Sequence, residues 1–175
     1  MKVAVYKDAL DIEVYRTCIN SLKTHISIPG VVGDSLQNAR QDDARKADVR
    51  FLRRTGNPDS WSRPLTELHG WLSKFMEPYG DLVPETVNVI TYKEGSYYHW
   101  HRDGSGTGYR KFSFISVLSP KDHYEGGELE FDGIELPEYA FDPLSIIVFN
   151  PSIKHRVKPV TAGVRHSLVT WFLEK

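Results

Sequence analysis

The spacing of hydrophobic positions along this chain changes period near residue 86. Before it, Val3 to Tyr6 reads as a short apolar strand, and Ala9, Ile12, Tyr15, Ile19 and Leu22 recur at helical spacing between Asp8 and Ile26. Asp8 is the N-cap expected for that helix. A second amphipathic helix is predicted from Arg63 to Met76, with Leu65, Leu68, Leu72, Phe75 and Met76 on one face and Pro64 in the first turn; Pro78 and Gly80 end it. Between the helices, Pro29 to Trp61 is polar and irregular. Gly30, Gly33, Gly56, Asn57 and Pro58 punctuate it, which predicts a long surface loop interrupted by a strand-like Val49 to Leu52.

From Thr86 the pattern becomes a series of short β-rich segments divided by turn residues. They are Val87 to Tyr92, Tyr97 to Asp103, Phe112 to Leu118, Glu128 to Phe131, Ile134 to Leu136, Ser145 to Phe149, His155 to Val160 and Arg165 to Leu173. Asp132-Gly133, set between Phe131 and Ile134, suits a type I′ hairpin. The expected fold is mainly β with flanking N-terminal helices (α+β), the β part closing as a jelly-roll sandwich. Helical support and loop occupy 1–85, the β-core occupies 86–175, and no linker divides the 175 residues into two domains.

Composition narrows the chemistry. Hydrophobic residues make up 40% of the chain and aromatics 12%, with a formal net charge of -1, a globular balance with no general pull toward nucleic acid or anionic membrane. Met1 to Asp8 meets an acid before any apolar stretch develops, and no run approaches the length of a membrane span, so a soluble, cytoplasmic protein is expected. Cys18 is the sole cysteine, which excludes an intrachain disulfide and thiolate metal clusters. Any metal site must use histidine and carboxylate.

Tyr98-His99-Trp100-His101-Arg102-Asp103 offers such ligands. On a strand, His99, His101 and Asp103 share one face, while Tyr98, Trp100 and Arg102 take the other. An imidazole and a carboxylate two residues apart can fill adjacent corners of a metal site. One distant imidazole completes a facial triad with open positions, the arrangement suited to non-haem Fe(II). His155, after the apolar run Ser145 to Phe149 and the turn Asn150-Pro151-Ser152, is placed to supply it. Downstream, Arg165, Ser167, Val169 and Trp171 share one face of the closing strand, so Arg165 projects inward and needs an anion that its guanidinium can hold bidentately. Taken singly, His155 also reads as an ordinary hydrogen-bonded histidine, and Arg165 as the partner of a structural Asp or Glu.

Together these segments resemble the prolyl 4-hydroxylase-like members of the 2-oxoglutarate/Fe(II) oxygenases. The resemblance rests on Tyr92-x-x-Gly95-x-x-Tyr98-x-x-His101-x-Asp103, on Arg110-Lys111-Phe112-Ser113 leading to Leu118-Ser119, and on Gly126-Gly127-Glu128-Leu129. It continues through His155-Arg156-Val157-x-Pro159-Val160, Arg165-x-Ser167 and Trp171, from about Val87 to the C-terminus. It implies a double-stranded β-helix with Fe(II) on His101, Asp103 and His155 and 2-oxoglutarate chelating the metal. Arg165 and Ser167 would bind the distal carboxylate, with Tyr92 helping to orient the co-substrate. The implied reaction consumes O2 and 2-oxoglutarate, yields succinate and CO2, and hydroxylates a C–H bond, with ascorbate as a possible reductant.

Prolyl residues of a peptide or protein are the first substrate expected by this analogy, ahead of other amino-acid or small-molecule substrates. Nucleic acid is disfavoured: related oxygenases that repair alkylated nucleic acid carry a second arginine six positions after the co-substrate arginine, where this chain has Trp171. A His2Asp zinc hydrolase and a non-catalytic β-sandwich binding module are the competing classes, and neither needs the carboxylate receptor Arg165-x-Ser167. Gly126-Gly127 is expected to permit a sharp turn, His99 to support a metal ligand from behind or sit at the cleft edge, His69 and His166 to be structural or solvated, and Pro29 to Trp61 to be either a lid or an ordered excursion. Nothing in the sequence fixes the oligomeric state.

Overall fold

Two antiparallel sheets face each other in the computed structural model, which describes residues 2–30, 44–52, 63–103 and 109–175. The larger contains β1 (Val3–Tyr6), β2 (Ile28–Pro29), β4 (Asp48–Phe51), β5 (Leu82–Lys93), β7 (Arg110–Val117), β8 (Tyr124–Gly126), β10 (Ile146–Phe149) and β12 (Val160–Glu174). Their order is β1-β10-β7-β12-β5-β4-β2, with β8 pairing to the start of β12. The smaller contains β3 (Arg45–Lys46), β6 (Tyr97–His101), β9 (Leu129–Phe131) and β11 (His155–Val157), in the order β3-β6-β11-β9.

The long strand β12 organises the whole. One edge pairs with β5 and the other with β7, in registers that include Arg165 with Tyr92, Ser167 with both Ile90 and Val117, and Trp171 with Ser113. Alternation then sends its two faces into two cores. Val169 joins Ile90, Tyr92, Ile115, Leu129, Phe131, Ile147, Phe149 and Val157 between the sheets. Leu168 and Phe172 pack outward against helices α1 (Ile12–Thr24) and α2 (Arg63–Met76), where Val14, Cys18, Leu68, Leu72 and Met76 are buried. The helices thus shield one face of the larger sheet, and the inter-sheet space is left for the site. Burial pushes the Cys18 thiol up to about 12, which makes it a packing residue.

Three local expectations are corrected. The first helix is capped by Asp11, whose Oδ1 accepts from the N–H groups of Glu13 and Val14 at 2.8 and 3.2 Å, while Asp8 sits in a turn with φ 50°. Its buried face centres on Val14, Cys18 and Ser21, and Ile12 is largely exposed. At Asp132-Gly133, Gly133 alone is left-handed (φ 68°), so the turn is not type I′. A single bridge joins Phe131 to Ile134, and no strand follows before the helical turn that opens after Pro137.

The third correction concerns Pro29 to Trp61. Its middle is scaffold: β4, at the expected strand-like Val49 to Leu52, pairs with β5, the unexpected β3 pairs with β6, and Leu52 is fully buried. His69 of α2 is buried and bonds the Leu52 carbonyl at 3.1 Å, so it is structural as expected. Residues 31–43 and 53–62, on which the lid expectation falls, lie outside the described residues. Among the described residues no helix is long and apolar enough to cross a membrane.

Candidate metal and co-substrate site

The smaller sheet brings the three sequence-predicted ligands together. His101 ends β6 and His155 begins β11, and the two are direct partners in that ladder. Asp103 lies just past β6, its N–H donating to the Pro151 carbonyl at 3.0 Å. His101 Nε2 is 3.5 Å from Asp103 Oδ1 and His155 Nε2 is 3.7 Å from Oδ2, and one donor atom from each residue fits within 4.8 Å of the others. Each imidazole turns its Nδ1 to a backbone carbonyl, His101 to His99 at 2.8 Å and His155 to Ile153 at 3.0 Å. A carbonyl only accepts, so the proton is fixed on Nδ1 and each Nε2 lone pair faces the carboxylate.

The surroundings favour that state. His155 is 3% exposed, walled by Phe131 and Phe149 with ring centroids 5.7 and 4.9 Å away. Burial lowers its pKa despite the opposing Asp103 charge, so the ring is neutral near neutral pH. For Asp103, burial would raise the pKa, but the imidazoles of His101 and His155, through the charge each carries when protonated, and the Ser113 hydroxyl hold it well below the usual carboxylate range. Two imidazoles that each present Nε2, beside an ionised carboxylate, form a donor set that fits Fe(II) with positions left open.

Strand alternation fails at one point here. Tyr98 was expected on the opposite face from His101, yet the two rings stack with centroids 3.5 Å apart. The cause is a bulge: His155 pairs with His101 and Val157 with Tyr98, so two residues of β6 stand opposite one of β11 and the phase shifts. Tyr98 therefore turns inward, and burial pushes its phenol up to about 12. His99 is displaced outward, exposed and resting on Tyr97, while Trp100 lies under the Arg156 guanidinium at 4.7 Å.

Arg165 is 2% exposed, and its hydrogen bond among the described residues runs from Nη1 to Ser167 Oγ, 2.6 Å away. Its guanidinium lies 5.5 Å from the Tyr92 ring, and no carboxylate among the described residues pairs with it. A buried cation in that condition lacks its anion. Because Ser167 Oγ accepts from Arg165, its own proton is free to donate. A cavity of about 310 Å³ opens beside the arginine, lined by Tyr124, Gly127, Leu129 and Phe141 among others, a volume on the scale of small-ligand pockets.

Gly126 and Gly127 both take positive φ, 68° and 65°, as the expected turn requires. At Gly127 there is a further reason for glycine: a Cβ would lie 3.1 Å from Arg165 Cδ and 2.8 Å from Val160 Cγ2. Gly127→Ala is expected to cost about 1 to 2 kcal/mol of stability for the left-handed backbone and to displace the Arg165 stem. A fall in Tm together with weaker 2-oxoglutarate binding checks this, and unchanged binding would limit the residue to the turn.

Two interactions were not anticipated. Ser113 donates to Asp103 Oδ2 at 2.6 Å, and Arg110 donates from Nη1 to the Asp103 carbonyl at 2.9 Å while Glu85 holds its Nε at 2.6 Å. The Arg110 guanidinium also lies 3.9 Å from the centre of the Trp171 ring, tying this cluster to β12. Period-two alternation from Ile115 would have placed Ser113 inward, whereas no sequence signal links Glu85 to Arg110.

His166 lies on the outer face of β12, bonded to Thr91 Oγ1 at 3.0 Å, so its structural reading stands. Burial, with the charges of Arg50 and Arg165, lowers its pKa from 6.5 to about 4. The folded protein then binds fewer protons than the unfolded chain between those values, so this contribution to stability is complete above pH 6.5 and falls away as pH drops toward about 4. His166→Gln should flatten the decline of Tm across that interval. An unchanged slope would assign the decline to other groups.

Residues 87–173 match the sequence profile of the 2OG-Fe(II) oxygenase superfamily. A PKHD-type hydroxylase from Hyphomonas neptunium is 39% identical over 157 residues, covering 80% of this chain and 70% of that protein. A second, from Synechococcus sp. (strain CC9605), is 37% identical over 81 residues, 44% of this chain and 36% of the relative's length. The chain belongs to the 2OG-Fe(II) oxygenase superfamily. Among solved structures, a Pseudomonas putida prolyl-4-hydroxylase superimposes with a TM-score of 0.70 at 17% identity, covering 99% of this chain and 92% of that one. A Trichoplax adhaerens prolyl hydroxylase, in complex with a hypoxia inducible factor oxygen degradation domain peptide fragment, gives 0.72 at 16% identity, with 98% and 83% covered. At such identities the likeness speaks to fold, and it identifies the two facing sheets as a double-stranded β-helix.

Proposed function

We propose that this protein is a single-domain 2-oxoglutarate- and Fe(II)-dependent dioxygenase that hydroxylates a C–H bond, with a prolyl residue of a peptide or protein as its substrate. The observation that carries the reading is the pairing of a His101, Asp103 and His155 cluster with a buried arginine that has no acid partner among the described residues. A zinc hydrolase or a plain binding module would use the first without the second. The PKHD-type relatives, and the fold shared with two prolyl hydroxylases, support the substrate class.

When bound, iron and 2-oxoglutarate supply the oxidation of the substrate by O2, with release of succinate and CO2. His101 and His155 would hold the ion through Nε2 and Asp103 through a carboxylate oxygen, leaving the remaining positions to co-substrate and O2. Arg165 and the Ser167 hydroxyl would pair with the distal carboxylate, and Tyr92, beside the guanidinium, would orient the chain of the co-substrate. Phe131 and Phe149 keep water from the His155 side, which strengthens these charge pairs. Ascorbate would serve as reductant in turnover, and the free, buried thiol of Cys18 accords with a cytoplasmic location.

The substrate assignment is tested by incubating the protein with Fe(II), 2-oxoglutarate, ascorbate and a peptide library under air, then locating added oxygen by mass spectrometry. Gain of one oxygen atom on prolyl residues supports the reading. Oxygen added only to other residues, or only to free amino acids, would replace the prolyl assignment.

A further inference from the structure

The two oxygens of Asp103 are held unequally. Oδ1 faces His101 Nε2 at 3.5 Å, while Oδ2, 3.7 Å from His155 Nε2, also accepts a 2.6 Å hydrogen bond from Ser113 Oγ. Ser113 is fully buried on β7, paired with Phe149 on one side and Trp171 on the other, so its hydroxyl is placed by two backbone ladders. An apolar side chain at this position would leave Oδ2 without that donor.

A carboxylate can bind a cation with one oxygen or with both. With two imidazoles already bound, two-oxygen ligation would close a position that a chelating co-substrate and O2 need between them. We propose that Ser113 is a positioning residue that restrains Oδ2 and restricts Asp103 to ligation through Oδ1, keeping a third position open. This rests on the metal-centre reading above.

The test counts the waters on Mn(II) bound to the full-length protein, from the broadening of its EPR lines in ¹⁷O-enriched water. The wild type should bind one Mn(II) carrying three waters, and S113A should carry one fewer. S113T keeps a hydroxyl on the same carbon and should return the wild-type count. Equal counts in the wild type and S113A would overturn the proposal, as would a folded S113T with the S113A count. Loss of Mn(II) binding in a folded S113A would also overturn it, because the hydroxyl would then be needed for ligation itself. A wild type that binds no Mn(II) would remove the metal-centre reading first, so the two failures are distinguishable.

Discussion

Arg165→Ala is expected to weaken 2-oxoglutarate binding by on the order of 2 to 5 kcal/mol, the range for truncating one partner of a buried charge pair. That corresponds to a loss of roughly thirtyfold to several-thousandfold in affinity. The size follows from burial: Arg165 is 2% exposed and donates one hydrogen bond, to Ser167, so among the described residues its remaining donors are left for an anion. Arg165→Lys should recover only part of the loss, because an ammonium cannot reproduce the planar fork. Metal affinity should hardly change in either variant. Calorimetric titration of 2-oxoglutarate into the Mn(II)-loaded proteins reads this directly, and undiminished affinity in Arg165→Ala would sink the assignment.

Replacing His101, Asp103 or His155 with alanine should act one step earlier. A three-residue ligand set has no spare donor, so each variant should lose metal-dependent turnover. Metal affinity should fall by more than the roughly 10- to 100-fold typical of losing an outer hydrogen-bond partner. His155→Ala is the most informative, since it comes from a different strand than the other two and is 3% exposed. Circular dichroism must first confirm a folded variant. Near-normal affinity and activity in folded His155→Ala would mean that the third ligand lies elsewhere.

Much of this site was legible because strand alternation and side-chain chemistry agree along β12. Arg165, Ser167 and Val169 turn inward as period two requires, and an inward arginine is conspicuous among apolar neighbours. The same rule misled at β6. A bulge is set by pairing with β11, and nothing in Tyr98-His99-Trp100-His101 announces it, so Tyr98 and His99 were each given the other's face.

Tertiary pairing likewise drew Arg45–Lys46 into the smaller sheet, although its local sequence reads as loop, whereas Asp48–Phe51 coincides with the strand-like Val49 to Leu52. Pro137 and the helical turn after it ended the expected Ile134 to Leu136 strand. The Ser113 hydrogen bond joins residues on different segments, and a serine within an apolar strand carries no mark of what it touches.

The central claim, that one site takes both Fe(II) and 2-oxoglutarate, is tested most directly by anaerobic titration of 2-oxoglutarate into the Fe(II)-loaded protein, followed by visible absorption. A charge-transfer band that saturates at one equivalent, needs Fe(II) and is lost in His155→Ala is the predicted result. No band in the wild type, or an equal one in His155→Ala, would contradict it.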